Sequence, residues 1–205
     1  MKDLGIVALN EAYSDFSFYE YVQKNITNED QEFVKEIIVQ KNEYIYEASM
    51  KHNYMYEVVE GSVKLGSYLD TGDEFIYDIL CKRDFFGNLQ YLNGQFNEFA
   101  KTLIDSRIRV YKLSFFKKVI IHKPKIAEWY ISYLVKRWCS TEKKLKKIHE
   151  KGMIEKIKFL QSNFNINVRD VQNKKYVVYE LLTQKDLGDL IGTTRQTIAN
   201  ALKQM

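Results

Sequence analysis

The sequence predicts an α+β protein in which an N-terminal sandwich or small barrel of β-strands is followed by a long helix and a C-terminal helix-turn-helix. Three observations predict this fold. Short β-branched and aromatic runs separated by turn residues fill positions 44–113, a heptad pattern fills 125–151, and two short capped apolar stripes fill 183–205. Apolar residues make up 45% of the 205-residue chain and aromatic residues 14%, enough to bury a substantial core.

The N-terminal region is predicted to be helical. Positions 10–38 carry apolar residues at helical spacing between charged ones, such as Phe16, Tyr19 and Val22, and further on Phe33 and Ile37. We expect short helices here that cap the β-domain.

The predicted strands lie at 44–46, 54–59, 62–68, 74–80 and 102–113. Gly61, the Thr71-Gly72 pair and Gly87 punctuate them at intervals typical of hairpins. Several short strands with close turns indicate a sandwich or small barrel.

A helix is predicted from 125 to 151, after Pro124, which suits a first helical turn. Its apolar positions alternate at steps of four and three, as in the a/d seam of a coiled coil: Ala127, Ile131, Leu134, Trp138, Thr141, Leu145 and Ile148. This pattern favours a homodimer. The alternative is a helix lying on its own β-domain, because Trp129, Tyr130 and Tyr133 broaden the apolar face.

Gly152 interrupts this helix and is a candidate hinge. Beyond it, the pattern predicts a helix at 153–164, a loop at 165–175 and a short strand at 176–181.

The first helix of the C-terminal pair is predicted to begin at Thr183. Asp186, three residues later, completes an approximate capping box. An apolar stripe follows and Gly192 ends it; the stripe consists of Leu187, Leu190 and Ile191. Gly188 is expected where the two helix backbones approach, because steeply crossing helices need a small residue there.

Thr193 and Thr194 can cap the second helix. Its inward residues are Ile198, Ala201 and Leu202. Its outward residues are Arg195, Gln196, Asn200 and Lys203. The outward set is rich in groups that can read the edges of DNA bases.

The string LTQKDLGDLIGTTRQTIANAL resembles the DNA-binding helices of the Crp/Fnr superfamily of bacterial transcription regulators, which typically read L-T-Q-x-D-L-A-x-x-x-G-T-T-R-x-T-[IV]. The strings KNEYIY, YMYEVVEGSVKL, TGDEFIYDIL and KRDFFGNLQYL resemble successive strands of the family's sensor domain. The resemblance implies a jelly-roll-like β-roll of the cyclic-nucleotide-binding type with a helical cap at 1–124, a dimerisation helix at 125–151, and a helix-turn-helix domain at 152–205.

In helix-turn-helix proteins the second helix enters the major groove of DNA. Arg195 suits guanine, whereas Gln196 and Asn200 suit adenine. The resemblance supports Arg195 and Gln196 as base readers, but Asn200 stands where many relatives have a second arginine, so the family's usual target cannot be carried over. Gln196 also stands at capping-box spacing from Thr193 and could reach the backbone instead. The predicted phosphate contacts are Thr183, Gln184, Lys185, Thr193, Thr194, Thr197 and Lys203.

The predicted effector pocket departs from that of the family's nucleotide-binding members. They carry Phe-Gly-Glu, then an arginine for the cyclic phosphate, whereas this chain has Phe86-Gly87-Asn88 and no arginine between Arg83 and Arg107. Glu98 would repel a phosphodiester if it faced the pocket. Cyclic AMP and cyclic GMP are therefore disfavoured. The candidate pocket residues are Phe86, Gly87, Asn88, Leu89 and Glu98, and no cofactor or effector is identified.

Other classes of protein find little support. The two cysteines, Cys81 and Cys139, lack a CxxC spacing and cannot supply the four thiolates of an iron-sulfur cluster, so neither a metal nor a disulfide scaffold is expected. No nucleophile, Walker or HExxH motif indicates an enzyme. The opening residues do not read as a secretory signal, no run is long enough to span a membrane, and a cytoplasmic location is expected.

The function predicted from the sequence is that of a homodimeric transcription regulator that reads a palindromic operator in double-stranded DNA, with RNA polymerase as a partner if it activates. The net charge of +4 permits a nucleic-acid partner without establishing one. The alternative is a sensor or scaffold protein that no longer binds DNA specifically. The family's C-terminal domain normally continues into a β-hairpin wing, and the expectation is that residues beyond Met205 supply it, unless the domain is minimal.

Overall fold

The computed structural model of the protein describes residues 16–25, 32–48, 53–90, 97–149 and 152–205. Within these residues, the N-terminal part contains one short α-helix before the strands, α1 (Phe18–Asn25), and two sheets. The strands are β1 (Val34–Val39), β2 (Tyr44–Tyr46), β3 (Tyr54–Glu60), β4 (Val63–Tyr68), β5 (Glu74–Leu80), β6 (Phe85–Phe86), β7 (Glu98–Thr102) and β8 (Ser106–Lys112).

Each sheet has four antiparallel strands, in the orders β1-β8-β3-β6 and β2-β7-β4-β5. Val58 and Ile108 of the first sheet pack with Val63 and Leu65 of the second in one buried cluster. Neighbouring residues of β3 and β8 are buried on opposite faces of the first sheet: Tyr56 and Val110 belong to this cluster, whereas Met55 and Tyr111 pack with the helices. The predicted sandwich or small barrel is confirmed.

The predicted helix through Phe33 and Ile37 is wrong. Residues 34–39 form β1, which pairs with β8 in a register that places Ile37 opposite Ile108, and Phe33 lies in a short 3-10 turn just before the strand. The β-branched run Ile37 to Val39 suits a strand at a sheet edge, and pairing along all of β8 outweighs the helical spacing of the apolar residues. Helix α1 bears out the cap, with Phe18 and Val22 buried; the remaining predicted cap positions, 10–15 and 26–31, lie outside the described residues.

Two helices follow the strands, α2 (Leu113–His122) and α3 (Pro124–His149). Helix α2 was not predicted, because its composition, LSFFKKVIIH, resembles the preceding strand. Pro124 is the first residue of α3, as predicted, and the last two residues of the predicted helix, 150 and 151, lie outside the described part of the chain.

Helix α3 has two apolar faces. On one face Ile126, Trp129 and Tyr130 are buried against the β-domain, and Tyr133 exchanges hydrogen bonds with the backbone of Phe85 at 2.8 Å. The other face carries large apolar side chains that are exposed to solvent: Ile131, Leu134, Val135, Trp138 and Leu145. The expectation that the helix lies on its own β-domain is thus confirmed for one face. Most residues of the predicted dimer seam lie on the other, exposed face, and their role in dimerisation stays a prediction.

The C-terminal part comprises α4 (Met153–Asn163), β9 (Asn167–Arg169), β10 (Lys175–Val177), α5 (Val178–Leu181), α6 (Gln184–Ile191) and α7 (Arg195–Leu202). The predicted loop 165–175 is a β-hairpin whose turn is tied by the Asp170 carboxylate, which accepts the amides of Gln172 and Lys174. The predicted strand 176–181 ends at Val177, because the chain turns into α5 and buries Val178.

One core cluster joins the C-terminal helices to the second sheet. Leu187, Leu190 and Ile191 of α6 belong to the same buried cluster as Ile76 and Phe99 of the sheet. The helix-turn-helix is therefore packed on the edge of the β-domain. Among the described residues, no helix is long and apolar enough to cross a membrane, and no group of three or more His, Cys, Asp or Glu side chains could hold a metal ion.

Candidate nucleic-acid interface

The first helix of the pair begins with the predicted capping box. The Thr183 hydroxyl accepts a hydrogen bond from the Asp186 amide at 3.1 Å, and the Asp186 carboxylate accepts one from the Thr183 amide at 2.9 Å. Gly192 ends the helix in a left-handed conformation with φ 68°, which glycine adopts without strain. These local signals place α6 between the residues that the sequence predicts.

The second helix is capped by Thr194 and not by Thr193. The Thr194 hydroxyl accepts a hydrogen bond from the Thr197 amide at 3.2 Å, whereas the Thr193 amide donates to the Gly188 carbonyl at 2.9 Å and closes the turn. Ile198 is buried, so α7 presents its opposite face to solvent.

Gly188 lies where the two helices approach each other. A Cβ atom at this position would stand 2.7 Å from the backbone carbonyl oxygen of Thr193. The contact is with backbone, so it cannot be relieved by moving a flexible side chain. The predicted reason for this glycine, close approach of α6 to the turn, is confirmed.

We expect Gly188→Ala to destabilise the protein by about 1 to 3 kcal/mol, because the overpacking against Thr193 exceeds the gain in helix propensity of about 1 kcal/mol. Urea unfolding followed by circular dichroism measures the change. An increase in the free energy of unfolding would contradict the steric argument, since propensity alone predicts that increase.

The predicted reading residues share one exposed face of α7. Arg195, Gln196 and Asn200 are all exposed. The Gln196 side-chain amide donates to the Asn200 side-chain oxygen at 3.0 Å, so Gln196 does not complete a capping box with Thr193. The pairing orders both amides one helical turn apart, and Arg195 is exposed at the start of the same helix.

The predicted phosphate contacts lie at the start of both helices. Thr183, Gln184 and Lys185 are exposed at the beginning of α6. Lys185, however, bonds the Asp189 carboxylate at 2.9 Å and also donates to the Glu74 carbonyl of β5. This lysine therefore has partners within the chain. The remaining members of the set lie around α7: Thr193, Thr194, Thr197 and Lys203.

The structure brings only two of the predicted effector-pocket residues together. Phe86 is buried and its ring stacks on Tyr56 at 5.2 Å and Tyr46 at 6.1 Å. The hydroxyls of Tyr46 and Tyr77 both donate to the carboxylate of Glu98. Phe86 and Glu98 thus share Tyr46 as a neighbour, inside the β-domain.

The other predicted pocket residues lie elsewhere. Leu89 packs with the aromatic cluster around α2 and α3, and the Asn88 side chain accepts the Gln90 amide at 2.6 Å. Gly87 has φ 107°, and a Cβ there would stand 2.9 Å from the Tyr54 carbonyl oxygen, so it serves the backbone turn.

Burial raises the pKa of the Glu98 carboxyl above its ordinary value, although hydrogen bonds from Tyr46 and Tyr77 and the charge of Arg137 oppose the shift. A carboxyl whose pKa is higher in the folded state stabilises the fold at pH values below its unfolded pKa, and this contribution is lost as the pH rises through the folded pKa. Nearby Asp78 adds to the shift.

We therefore expect Glu98→Gln to flatten the dependence of unfolding free energy on pH above pH 4.5, the ordinary pKa of this carboxyl, with the variant gaining stability relative to the parent as the pH increases. Thermal unfolding of both proteins from about pH 5 to about pH 8 measures this difference. Parallel curves would show that the buried site does not favour the protonated carboxyl.

The β-domain and the helix pair are similar to those of known proteins. Residues 36–123 match the family model of the cyclic nucleotide-binding domain. The structure of FixK2 from Bradyrhizobium japonicum is similar, with a TM-score of 0.65 and 22% sequence identity over 83% of each chain. A CRP-family transcriptional regulator from Thermus thermophilus gives a TM-score of 0.64 at 14% identity, covering 82% of this chain and 83% of its own.

A sequence relative is the global nitrogen regulator of Synechococcus elongatus, 25% identical over 154 residues, which cover 72% of this chain and 68% of the relative. Residues 36–123 thus match the cyclic nucleotide-binding domain, and the chain has the fold of these solved regulators. The resemblance predicted from the sequence is confirmed for the domain and for the fold.

Proposed function

We propose that this protein is a homodimeric DNA-binding transcription regulator in which helix α7 reads a palindromic site. The supporting observation is the single exposed face formed by Arg195, Gln196 and Asn200, carried by a helix pair whose capping and packing match a helix-turn-helix. Arg195 would bind guanine, and the paired amides would bind adenine.

The proposed dimer uses the exposed face of α3. Ile131, Leu134, Trp138, Thr141 and Leu145 of the predicted seam are exposed, whereas Ala127 and Ile148 at its ends are half-buried, Ile148 against the C-terminal core. Val135 lies on the same exposed face and was missed by the heptad pattern, which records only a and d positions. An apolar stripe of this length on a charged helix is typical of a helix that pairs with another copy.

The proposed organisation has a sensor domain at 1–124, the dimerisation helix at 125–151 and the DNA-binding domain at 152–205, in a cytoplasmic protein that would contact RNA polymerase if it activates. A small molecule bound in the sensor domain would reposition the reading helices through the segment at Gly152, which has φ 100°. We propose that this effector is not a cyclic nucleotide, because the chain has no arginine between Arg83 and Arg107 that could bind a cyclic phosphate, and the Glu98 carboxyl lies beside Tyr46, the neighbour of Phe86. Small-angle scattering that gave one unchanged shape with DNA and with every candidate effector would contradict this coupling.

Selection of DNA from a random pool, combined with sedimentation of the same purified protein, tests the proposed function. We expect a dimer and enrichment of an imperfect palindrome with half-sites about one helical turn, roughly 34 Å, apart. A dimer that enriches no sequence would favour a sensor or scaffold protein instead.

A further inference from the structure

The first helix of the pair is held against the edge strand of the sensor's second sheet. Strand β5 ends the order β2-β7-β4-β5, so one of its edges has no neighbouring strand among the described residues. The Asp189 carboxylate of α6 accepts the Ile76 amide at 3.2 Å, and Lys185 donates to the Glu74 carbonyl. Polar groups of α6 therefore take the place of a neighbouring strand.

An ion pair between Lys64 of β4 and Asp186 of α6 also spans this contact. Their charged atoms lie 3.1 Å apart, and the two side chains are only 13% and 3% exposed. One Asp186 oxygen accepts the Lys64 ammonium and the other accepts the Thr183 amide in the capping box. A single buried carboxylate thus joins the cap of α6 to the sensor. Removal of the Lys64 ammonium would leave the buried negative charge of Asp186 without an opposite charge.

The position of α6 in turn sets the position of α7. Gly188 and the turn are in backbone contact, and Leu190, Ile191, Ile198 and Ala201 lie in one buried cluster, so the two helices move together. While α6 is docked, the face of α7 that carries Arg195 stays exposed. The docked position is therefore compatible with reading DNA.

We propose that Lys64 is a positioning residue that fixes the reading helix relative to the sensor by holding Asp186, and so fixes the separation of the two reading helices in the dimer. This inference rests on the proposed DNA-binding function. A palindrome requires both helices at a set distance, whereas a single half-site requires only one. Replacing Lys64 should therefore affect the two kinds of site differently.

The test compares Lys64→Met with Lys101→Met as a matched control. Methionine keeps the apolar stem and removes the charge. Lys101 is similarly buried and lies in the same sheet, but it pairs with Glu74 at 3.6 Å and lies over the Tyr44 ring, within the sensor. Full-length proteins are titrated with the selected palindrome and with a duplex that contains one half-site.

For Lys64→Met we expect the dissociation constant for the palindrome to rise about tenfold, with the half-site constant within about twofold of the parent. Lys101→Met should leave the palindrome constant within about twofold of the parent value. An equal rise on both duplexes would overturn the proposal, because it would mean that the variant only damages the helix pair. Unchanged binding, or tighter binding of the palindrome, would overturn it as well.

Hydrogen exchange of the segment 184–191 separates failure of this inference from failure of the proposed function. We expect faster exchange of this segment in Lys64→Met than in Lys101→Met, whatever the protein binds. If the parent enriches no palindrome, the proposed function fails while the exchange still tests the docking contact. Equal exchange in the two variants would show that Lys64 does not hold α6.

Discussion

Replacing Trp138 with glutamate is expected to convert the proposed dimer into a monomer. The Trp138 side chain is 66% exposed, near the middle of the apolar face of α3. A large aromatic side chain at the centre of an interface typically contributes about 2 kcal/mol or more. Each dimer contains two copies, so the dimer dissociation constant should rise about a thousandfold, which corresponds to roughly 4 kcal/mol.

The matched control is Ile121→Glu. Ile121 is 62% exposed and lies at the end of the neighbouring helix α2, outside the seam, so the same charge is added at similar exposure without touching the proposed interface. Sedimentation across a range of protein concentrations should give a dimer for the control and a monomer for Trp138→Glu. Equal dimerisation of both variants would place the interface elsewhere.

Monomerisation should also reduce binding to the palindrome much more than binding to one half-site, because the two half-sites would no longer be engaged by one molecule. Far-UV circular dichroism should stay close to that of the parent, since most of the Trp138 side chain contacts solvent. The unfolding midpoint of Trp138→Glu should be lower than that of the parent at equal protein concentration, because association of two folded chains stabilises the fold.

Local chemistry explains why the helix pair could be predicted from the sequence. Thr183 and Asp186 stand at capping-box spacing, and Gly192 supplies the left-handed end of α6, so the boundaries of this helix depend on residues within a few positions of one another. Gly188 adds a packing requirement that the same short segment meets.

The errors arose where long-range pairing decided the structure. Phe33 and Ile37 stand at helical spacing, yet residues 34–39 form a strand because they pair with β8, which lies far along the chain. Helix α2 was missed for a related reason. Its aromatic and β-branched residues, such as Phe115 and Val119, favour a strand, but burial of both beneath α3 favours the helix.

The contact between Lys64 and Asp186 could not be predicted from sequence pattern. The two residues are separated by 122 positions, and neither belongs to a motif that pairs them. The sequence pattern predicts only a capping role for Asp186, and the second oxygen of its carboxylate has a partner only because the C-terminal helices pack on the β4–β5 edge. Phosphate contact by Lys185 stays a prediction, and it would require this lysine to exchange Glu74 for DNA.

Replacing Arg195 with alanine is expected to weaken binding to the selected palindrome by about 1 to 3 kcal/mol for each half-site and to relax the preference at one base position. Arg195 is exposed at the first position of α7, and among the described residues its side chain has no hydrogen-bond or ion-pair partner. Alanine is also a good helix former, so the substitution should leave the fold unchanged. Weaker binding would therefore report a contact with DNA.

Lys203→Ala provides the contrast, because Lys203 is exposed at the other end of α7 and is a predicted phosphate partner. This variant should weaken binding to every duplex by a similar factor and lower the salt dependence by about one for each phosphate that the lysine no longer neutralises. Titrations of the palindrome and of random DNA at several salt concentrations distinguish the two behaviours. If Arg195→Ala weakened binding to both kinds of DNA equally, its guanidinium would be a phosphate contact, and the reading of sequence would fall to the Gln196 and Asn200 amides, which the structure holds 3.0 Å apart.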